Sequence, residues 1–91
     1  ISVLGVQMPD PFGYGRLIVN NQGILQRIVE QKDANPAEQK INVVNSGAFC
    51  IDGRYLAKWL SKIDNKNAAK EYYITDLPEI AARDGISTKA Y

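Results

Sequence analysis

The apolar positions of this chain fall into short runs separated by polar and glycine- or proline-rich breaks, and their spacing predicts the elements. "SVLGVQ" (residues 2–7) reads as a strand, followed by the turn-rich "MPDPFGYG". "RLIVN" and "GILQRIVEQ" are rich in Leu, Ile and Val and are joined by the polar, glycine-ended "NNQG", which predicts a β-hairpin. In "KDANPAEQ", Pro36 opens a short helical turn, because a first-turn proline lacks only an N–H that would have no partner there. "INVVNSGAFCI" is the longest β-prone run, and Asn45, Ser46 and Gly47 interrupt it, as at a bulge or a close backbone approach.

Helical spacing begins after Asp52, a natural N-cap. Leu56, Trp59, Leu60 and Ile63 recur at i, i+3, i+4 and i+7 and predict one apolar helical face along "GRYLAKWLSKI". A polar loop, "DNKNAAKEYYI", leads to a second helix, "LPEIAARDG". Asp76 and Glu79 have capping-box spacing there, Pro78 suits the first turn and Gly85 the C-terminal stop. Strands and helices alternate only in the second half, so the class is mixed α/β. The ends, "ISVLGVQM" and "ISTKAY", read as strands cut within a longer protein.

Composition narrows the chemistry. The length of 91 residues suits one small domain, and 45% hydrophobic with 23% charged residues is ordinary globular content. Net charge is +1 and no basic tract marks a nucleic-acid surface. No apolar run approaches the length of a membrane span. Cys50 is the single cysteine, which excludes an intrachain disulfide and favours a reducing compartment. Histidine is absent, which removes imidazole bases and most zinc sites and leaves carboxylates, amides, hydroxyls and backbone.

Within "DPFGYGR" (residues 10–16) the glycines do not form a phosphate loop. A strand follows rather than a helix, position 18 is isoleucine where GxGxxG needs its third glycine, and no Gly-Lys-Ser/Thr follows. Two readings stay open: a turn needing positive φ, or a glycine whose missing Cβ lets a ligand touch the backbone. Glu30, at the end of a hairpin strand, is either a solvated charge or a ligand group. Asn45, inside an apolar strand, is either a structural bridge or a ligand contact, since its amide needs partners. "DNKN" fails as a calcium loop, with Lys66 and Ala68 at alternate positions and no glycine at position six. Cys50 and Trp59 read as core residues. No self-contained catalytic constellation or metal-ligand set is visible.

Taken in order, "DPFGYGR", "IVEQKDA", "VNSGAF" and "AKEYYITD" resemble successive motifs of the bacterial N-acetylglucosamine-1-phosphate uridylyltransferases, the N-terminal domain of a bifunctional enzyme that also carries glucosamine-1-phosphate acetyltransferase. The resemblance covers nearly the whole chain. Other sugar-nucleotide pyrophosphorylases typically place proline after the Glu-x-Lys element and lack a double tyrosine. Here Asp33 and Ala34 follow Lys32, and Tyr72-Tyr73 precede Ile74-Thr75-Asp76. Two departures occur: Lys70 stands where the family has glycine before Glu-Tyr-Tyr, and Asn45-Ser46-Gly47 replaces Asn-Thr-Gly.

The resemblance implies a fragment of a nucleotide-diphospho-sugar transferase fold, a Rossmann-like mixed sheet with a β-hairpin and two helices. Residues 1–91 would be the sugar-binding second half of the uridylyltransferase domain, truncated at both ends. It implies transfer of UMP from UTP to N-acetylglucosamine-1-phosphate, giving UDP-N-acetylglucosamine and pyrophosphate for peptidoglycan and lipopolysaccharide precursors in the cytoplasm. By position, Gly15 would contact the sugar through its backbone, Glu30 and Asn45 would hydrogen-bond it, and Tyr73 and Thr75 would line the sugar and phosphate side. The nucleotide-binding glycine-rich loop and both ligands of Mg2+ would lie outside this chain, leaving no catalytic residue within it and the fragment inactive alone. A homo-oligomer is expected, a trimer for the full-length relatives, and unpaired sheet edges in a fragment would favour association. The competing readings are a pyrophosphorylase for another sugar-1-phosphate and a non-catalytic binding or assembly module of the same fold.

Overall fold

The computed structural model describes residues 1–91. Five strands form one mixed sheet: β1 (Ser2–Gln7), β2 (Arg16–Val19), β3 (Ile24–Val29), β4 (Val43–Cys50) and β5 (Thr88–Ala90). Three helices accompany them: α1 (Pro36–Gln39), α2 (Gly53–Leu60) and α3 (Leu77–Arg83). Short 3-10 turns span Gln31–Asp33 and Ile74–Asp76. The expected α/β class, hairpin and two longer helices are all present.

The sheet also closes on itself. Its order is β1-β4-β2-β3-β5, with β5 returning to pair in parallel with β1 while every other pairing is antiparallel. Closure gives every strand two neighbours. The seam between β2 and β4 is held by a single strand pair, Arg16 opposite Val44.

Two apolar clusters follow from the strand and helix periods. Val3, Leu17, Leu25 and Ile28, with Ile1, Phe49 and Ala90 against them, draw on all five strands or their flanks and fill the barrel interior. Leu25 and Ile28 are three apart, which simple alternation forbids on one face. The register slips by one residue between Ile18–Arg27 and Val19–Leu25, so the bulge places both inside. A second slip, between Val3–Phe49 and Gly5–Asn45, falls on the Asn45-Ser46-Gly47 interruption. Ser46 Oγ there donates to the Leu4 carbonyl at 2.6 Å. Phe49 faces the interior, so its neighbour Cys50 faces outward and is exposed, which corrects its placement in the core.

The second cluster joins α2 to α3 through Trp59, Leu77, Ile80 and Ala81. The fully buried Trp59 places its indole N–H 2.9 Å from Asp84 Oδ2, which satisfies its one polar atom. That bond, with help from Lys58 and Lys62, holds the Asp84 carboxyl below its ordinary range. Tyr55 stacks on Trp59 at 5.1 Å and, with Leu56 and Ile63, completes the buried face. Leu60 is exposed, contrary to the expected stripe. At about 100° per residue the face made by Tyr55, Leu56, Trp59 and Ile63 leaves Leu60 at its margin.

Helix ends differ from expectation in one place. Asp52 caps α2 by accepting from Arg54 N at 2.9 Å, as its position predicts. Asp76 does not cap α3: it is already helical (φ −76°, ψ −13°), because the 3-10 turn begun after Tyr73 runs directly into the helix. The reciprocal capping box lies on α1 instead, where Asn35 Oδ1 accepts from Glu38 N at 2.8 Å and Glu38 Oε1 accepts from Asn35 N at 2.9 Å. At the end of α3, Gly85 N donates to Ala82 O and Ile86 N to Ala81 O, both at 3.0 Å, the pair of bonds that defines a Schellman stop.

Candidate functional site

Strand register brings three distant residues into one row. Arg16 pairs with Val29 of β3 on one side and with Val44 of β4 on the other, both antiparallel. Gly15, one residue before Arg16, therefore lies between Glu30, one residue after Val29, and Asn45, one residue after Val44. The Asn45 N–H donates to the Gly15 carbonyl at 2.8 Å and extends the seam by one bond.

The two glycines of the loop differ in backbone conformation and surroundings. Gly13 has φ of +88° and closes the turn in which Tyr14 N donates to Pro11 O at 3.1 Å. Gly15 has no such φ and serves close approach instead. A Cβ there would stand 3.2 Å from Glu30 Oε2 and 3.0 Å from Ile28 Cγ2. The bare Cα thus lets the Glu30 carboxylate fold across it.

Thr75 completes the group from another element. It sits in the 3-10 turn ahead of α3, which packs over β3, and its buried hydroxyl donates to Glu30 Oε1 at 2.8 Å. Glu30 makes no ion pair, so its charge has no cationic partner and Oε2 keeps its accepting capacity. Asn45 Oδ1 accepts from Gly47 N at 2.9 Å, while its NH2 has no protein acceptor. The Glu30–Gly15–Asn45 row, buried at Gly15 and half-buried at its two ends, thus offers an acceptor and a donor on either side of the glycine.

Tyr73 joins Glu30 in lining two hollows. One, of about 410 Å3, is also bordered by Phe12, Gly13, Gln31 and Glu71. The other, of about 250 Å3, is also bordered by Asp33, Lys66, Asn67 and Asp76. Gly15, Asn45 and Thr75 line neither hollow and meet the group through Glu30 and the seam. Burial, and then the negative field of Asp33, Glu71, Glu30 and Asp76, pushes the Tyr73 phenol above its ordinary value. It therefore stays a hydrogen-bond donor throughout the neutral range. Burial and the neighbouring Glu79, Asp64, Asp33 and Glu30 likewise raise the Asp76 carboxyl.

Lys70, at the family's glycine position, has φ of +55°, the left-handed region that glycine enters freely. The loop before Glu71-Tyr72-Tyr73 thus has a glycine-like backbone despite the lysine. No group of three or more acidic, histidine or cysteine side chains converges as a metal-ion cluster. No helix is long and apolar enough to cross a membrane.

Arg16 was not singled out by the sequence, where it reads only as a strand-starting cation. It is 2% exposed, and its guanidinium bonds the Tyr14 carbonyl, the Gln31 side chain and the Gln39 carbonyl. Only the neighbouring Val29 and Val44 hint that such a cation is enclosed, and that inference needs the register.

An α/β chain whose mixed five-stranded sheet presents such a row at its strand ends is consistent with a fragment of a nucleotidyltransferase domain. No protein-family model matches the chain. Among curated proteins it is 50% identical over 90 residues to the Bifunctional protein GlmU of Lactobacillus helveticus, covering 99% of this chain and 20% of that protein. It is 46% identical over 86 residues to the protein of that name from Pseudomonas paraeruginosa, covering 94% of this chain and 19% of the relative. To that from Acidovorax sp. it is 45% identical over 91 residues, covering 100% of the chain and 19% of the relative. The chain is homologous over nearly its whole length to a segment of the bifunctional GlmU proteins, and it spans about a fifth of their length.

Proposed function

We propose that this chain is the sugar-binding segment of an N-acetylglucosamine-1-phosphate uridylyltransferase domain within a bifunctional transferase of cytoplasmic cell-envelope precursor synthesis. The observation that carries this reading is the row Glu30–Gly15–Asn45, in which an unpaired carboxylate and a free carboxamide NH2 flank a backbone without a Cβ. Neighbouring sugar hydroxyls are donors, and Glu30 Oε2 presents a charged acceptor to them. The Asn45 NH2 suits a hydroxyl or N-acetyl oxygen, and the protonated Tyr73 phenol supplies a further donor. Each such bond to a desolvated group contributes on the order of 1–3 kcal/mol, enough to discriminate among sugars.

In the reaction this implies, a phosphate oxygen of N-acetylglucosamine-1-phosphate forms a bond to the α-phosphorus of UTP as the bond to the departing pyrophosphate breaks. Magnesium, when bound, neutralises charge on the phosphates. Its ligands and the nucleotide loop belong to other segments of such an enzyme. The residues here hold and orient the sugar phosphate for in-line attack, a positioning contribution.

The test has two parts. Amide-resolved NMR titration of this chain with N-acetylglucosamine-1-phosphate is expected to shift Gly15, Glu30 and Asn45 saturably, with smaller shifts for glucose-1-phosphate and none at this row for UTP. In a chimera carrying this chain in place of the matching segment of the L. helveticus relative, Glu30→Ala is expected to raise the KM for the sugar phosphate by roughly tenfold or more, equivalent to about 1.4 kcal/mol, and to leave that for UTP near its starting value. An unchanged KM for the sugar phosphate refutes the reading. Equal response to glucose-1-phosphate points to another sugar, and no transfer in the chimera points to a non-catalytic module. The chain alone is expected to release no pyrophosphate from UTP.

A further inference from the structure

Arg16 is a buried cation with no carboxylate partner, at 2% exposure. Burying a guanidinium among neutral groups is unfavourable unless its donors are well used. Here two of its three acceptors lie on the segments that border the site. Nη1 donates to the Tyr14 carbonyl at 2.6 Å and also to Gln31 Oε1, and Nη2 donates to the Gln39 carbonyl at 3.2 Å. Nε is buried without a partner. Gln31 Oε1 accepts in addition from the Gly13 N–H at 3.1 Å, so one amide oxygen ties the glycine loop to the guanidinium.

The Tyr14 carbonyl belongs to the peptide whose other end is the Gly15 N–H. In a trans peptide these two groups point in opposite directions. Gripping the carbonyl therefore fixes the direction of the N–H. The Gly15 N–H has no acceptor in the protein, although Gly15 itself is buried. A buried amide without a partner is uncommon and is available to a ligand.

We propose that Arg16 is a positioning residue for the sugar site: through the Tyr14 carbonyl and the Gln31 side chain, its guanidinium sets the plane of the Tyr14–Gly15 peptide and aims the free Gly15 N–H at the sugar. This inference rests on the sugar-site reading above. Lysine cannot replace it, because an ammonium lacks the planar fork that reaches three acceptors on separate segments.

The test compares the unmodified chain with Gln31→Leu, Gln31→Glu and Arg16→Lys, each at a temperature where circular dichroism shows it folded. Gln31→Leu removes the shared acceptor at a half-buried position, and Gln31→Glu restores one. Without ligand, the Gly15 amide resonance is expected to move in Gln31→Leu and Arg16→Lys and to stay near its original position in Gln31→Glu. Affinity for N-acetylglucosamine-1-phosphate is expected to fall about tenfold in the first two and to be largely retained in Gln31→Glu. If Arg16→Lys does not fold, the two Gln31 variants decide. An unmoved Gly15 amide, or unchanged affinity in Gln31→Leu, overturns the positioning role while leaving the sugar site standing. Absence of saturable binding by the unmodified chain overturns the sugar site itself, and this inference with it.

Discussion

Replacing Gly15 with alanine tests whether close approach, rather than backbone conformation, explains this glycine. The added Cβ would lie 3.0 Å from Ile28 Cγ2, 3.2 Å from Glu30 Oε2 and 3.4 Å from Glu30 Cδ. Ordinary carbon contacts lie at about 3.5–4.0 Å, so Ile28 Cγ2 must retreat by roughly half an ångström and the Glu30 carboxylate by less. Ile28 is 6% exposed in the barrel core and has little room, whereas the half-buried Glu30 can swing. Swinging Glu30 stretches its 2.8 Å bond from Thr75. Overpacking costs about 1–3 kcal/mol, and the mobility of Glu30 puts this case near the lower end, about 1 kcal/mol. For a domain of this size that lowers Tm by about 4–8 °C. Thermal unfolding followed by circular dichroism measures it, for Gly15→Ala, Glu30→Ala and the double variant. The double variant is expected to be more stable than the sum of the single effects allows, because Glu30→Ala vacates part of the space the Cβ needs. A Gly15→Ala protein as stable as the original, or strict additivity in the cycle, refutes the close-approach account.

Three further outcomes are expected. Thr75→Val removes a bond to a charged acceptor and should destabilise the fold by about 1–1.5 kcal/mol, near the lower end for such bonds because water can reach Glu30; Thr75→Ser retains most of it, and equal denaturation midpoints for Val and Thr would contradict the bond's role. Lys70→Gly relieves a left-handed lysine worth about 1–2 kcal/mol against about 0.5–1 kcal/mol of added chain entropy, so urea denaturation should show a net gain; a loss would show that the lysine is not strained. Asp76 has a raised carboxyl, so its ionised form disfavours folding above the folded-state pKa, and the penalty disappears as pH falls below the ordinary carboxyl value of 3.8. Asp76→Asn should therefore raise the unfolding midpoint at neutral pH and lose that advantage by about pH 3; a constant difference across pH would exclude the ionisation.

Local chemistry determined much of this protein. The Leu-, Ile- and Val-rich runs of β2 and β3, Asp52 as a cap, Pro36 and Pro78 in first turns and Gly85 as a stop all act within a few residues, and each occurs where the local sequence places it. The four ordered motifs carry Gly15, Glu30, Asn45, Tyr73 and Thr75, of which the fold brings Gly15 and Thr75 directly against Glu30. Where local rules competed, tertiary context decided. Asp76 has capping-box spacing, but the preceding turn had already begun the helix, while the true box lay at Asn35 and Glu38. Leu60 matches the helical stripe, yet Tyr55 occupies the buried face in its place.

The row Glu30–Gly15–Asn45 and the enclosure of Arg16 depended on more than any local pattern. Both require β2 to lie between β3 and β4, in registers set by a bulge and by the single-pair seam. Register is a property of pairs of segments, decided by which faces bury together when the sheet closes, and no single segment carries that information. The sequence by itself determined the elements and the polar side chains they carry. Only the closed sheet decided that one glycine turns the chain, the other admits a carboxylate, and a buried arginine holds the two in place.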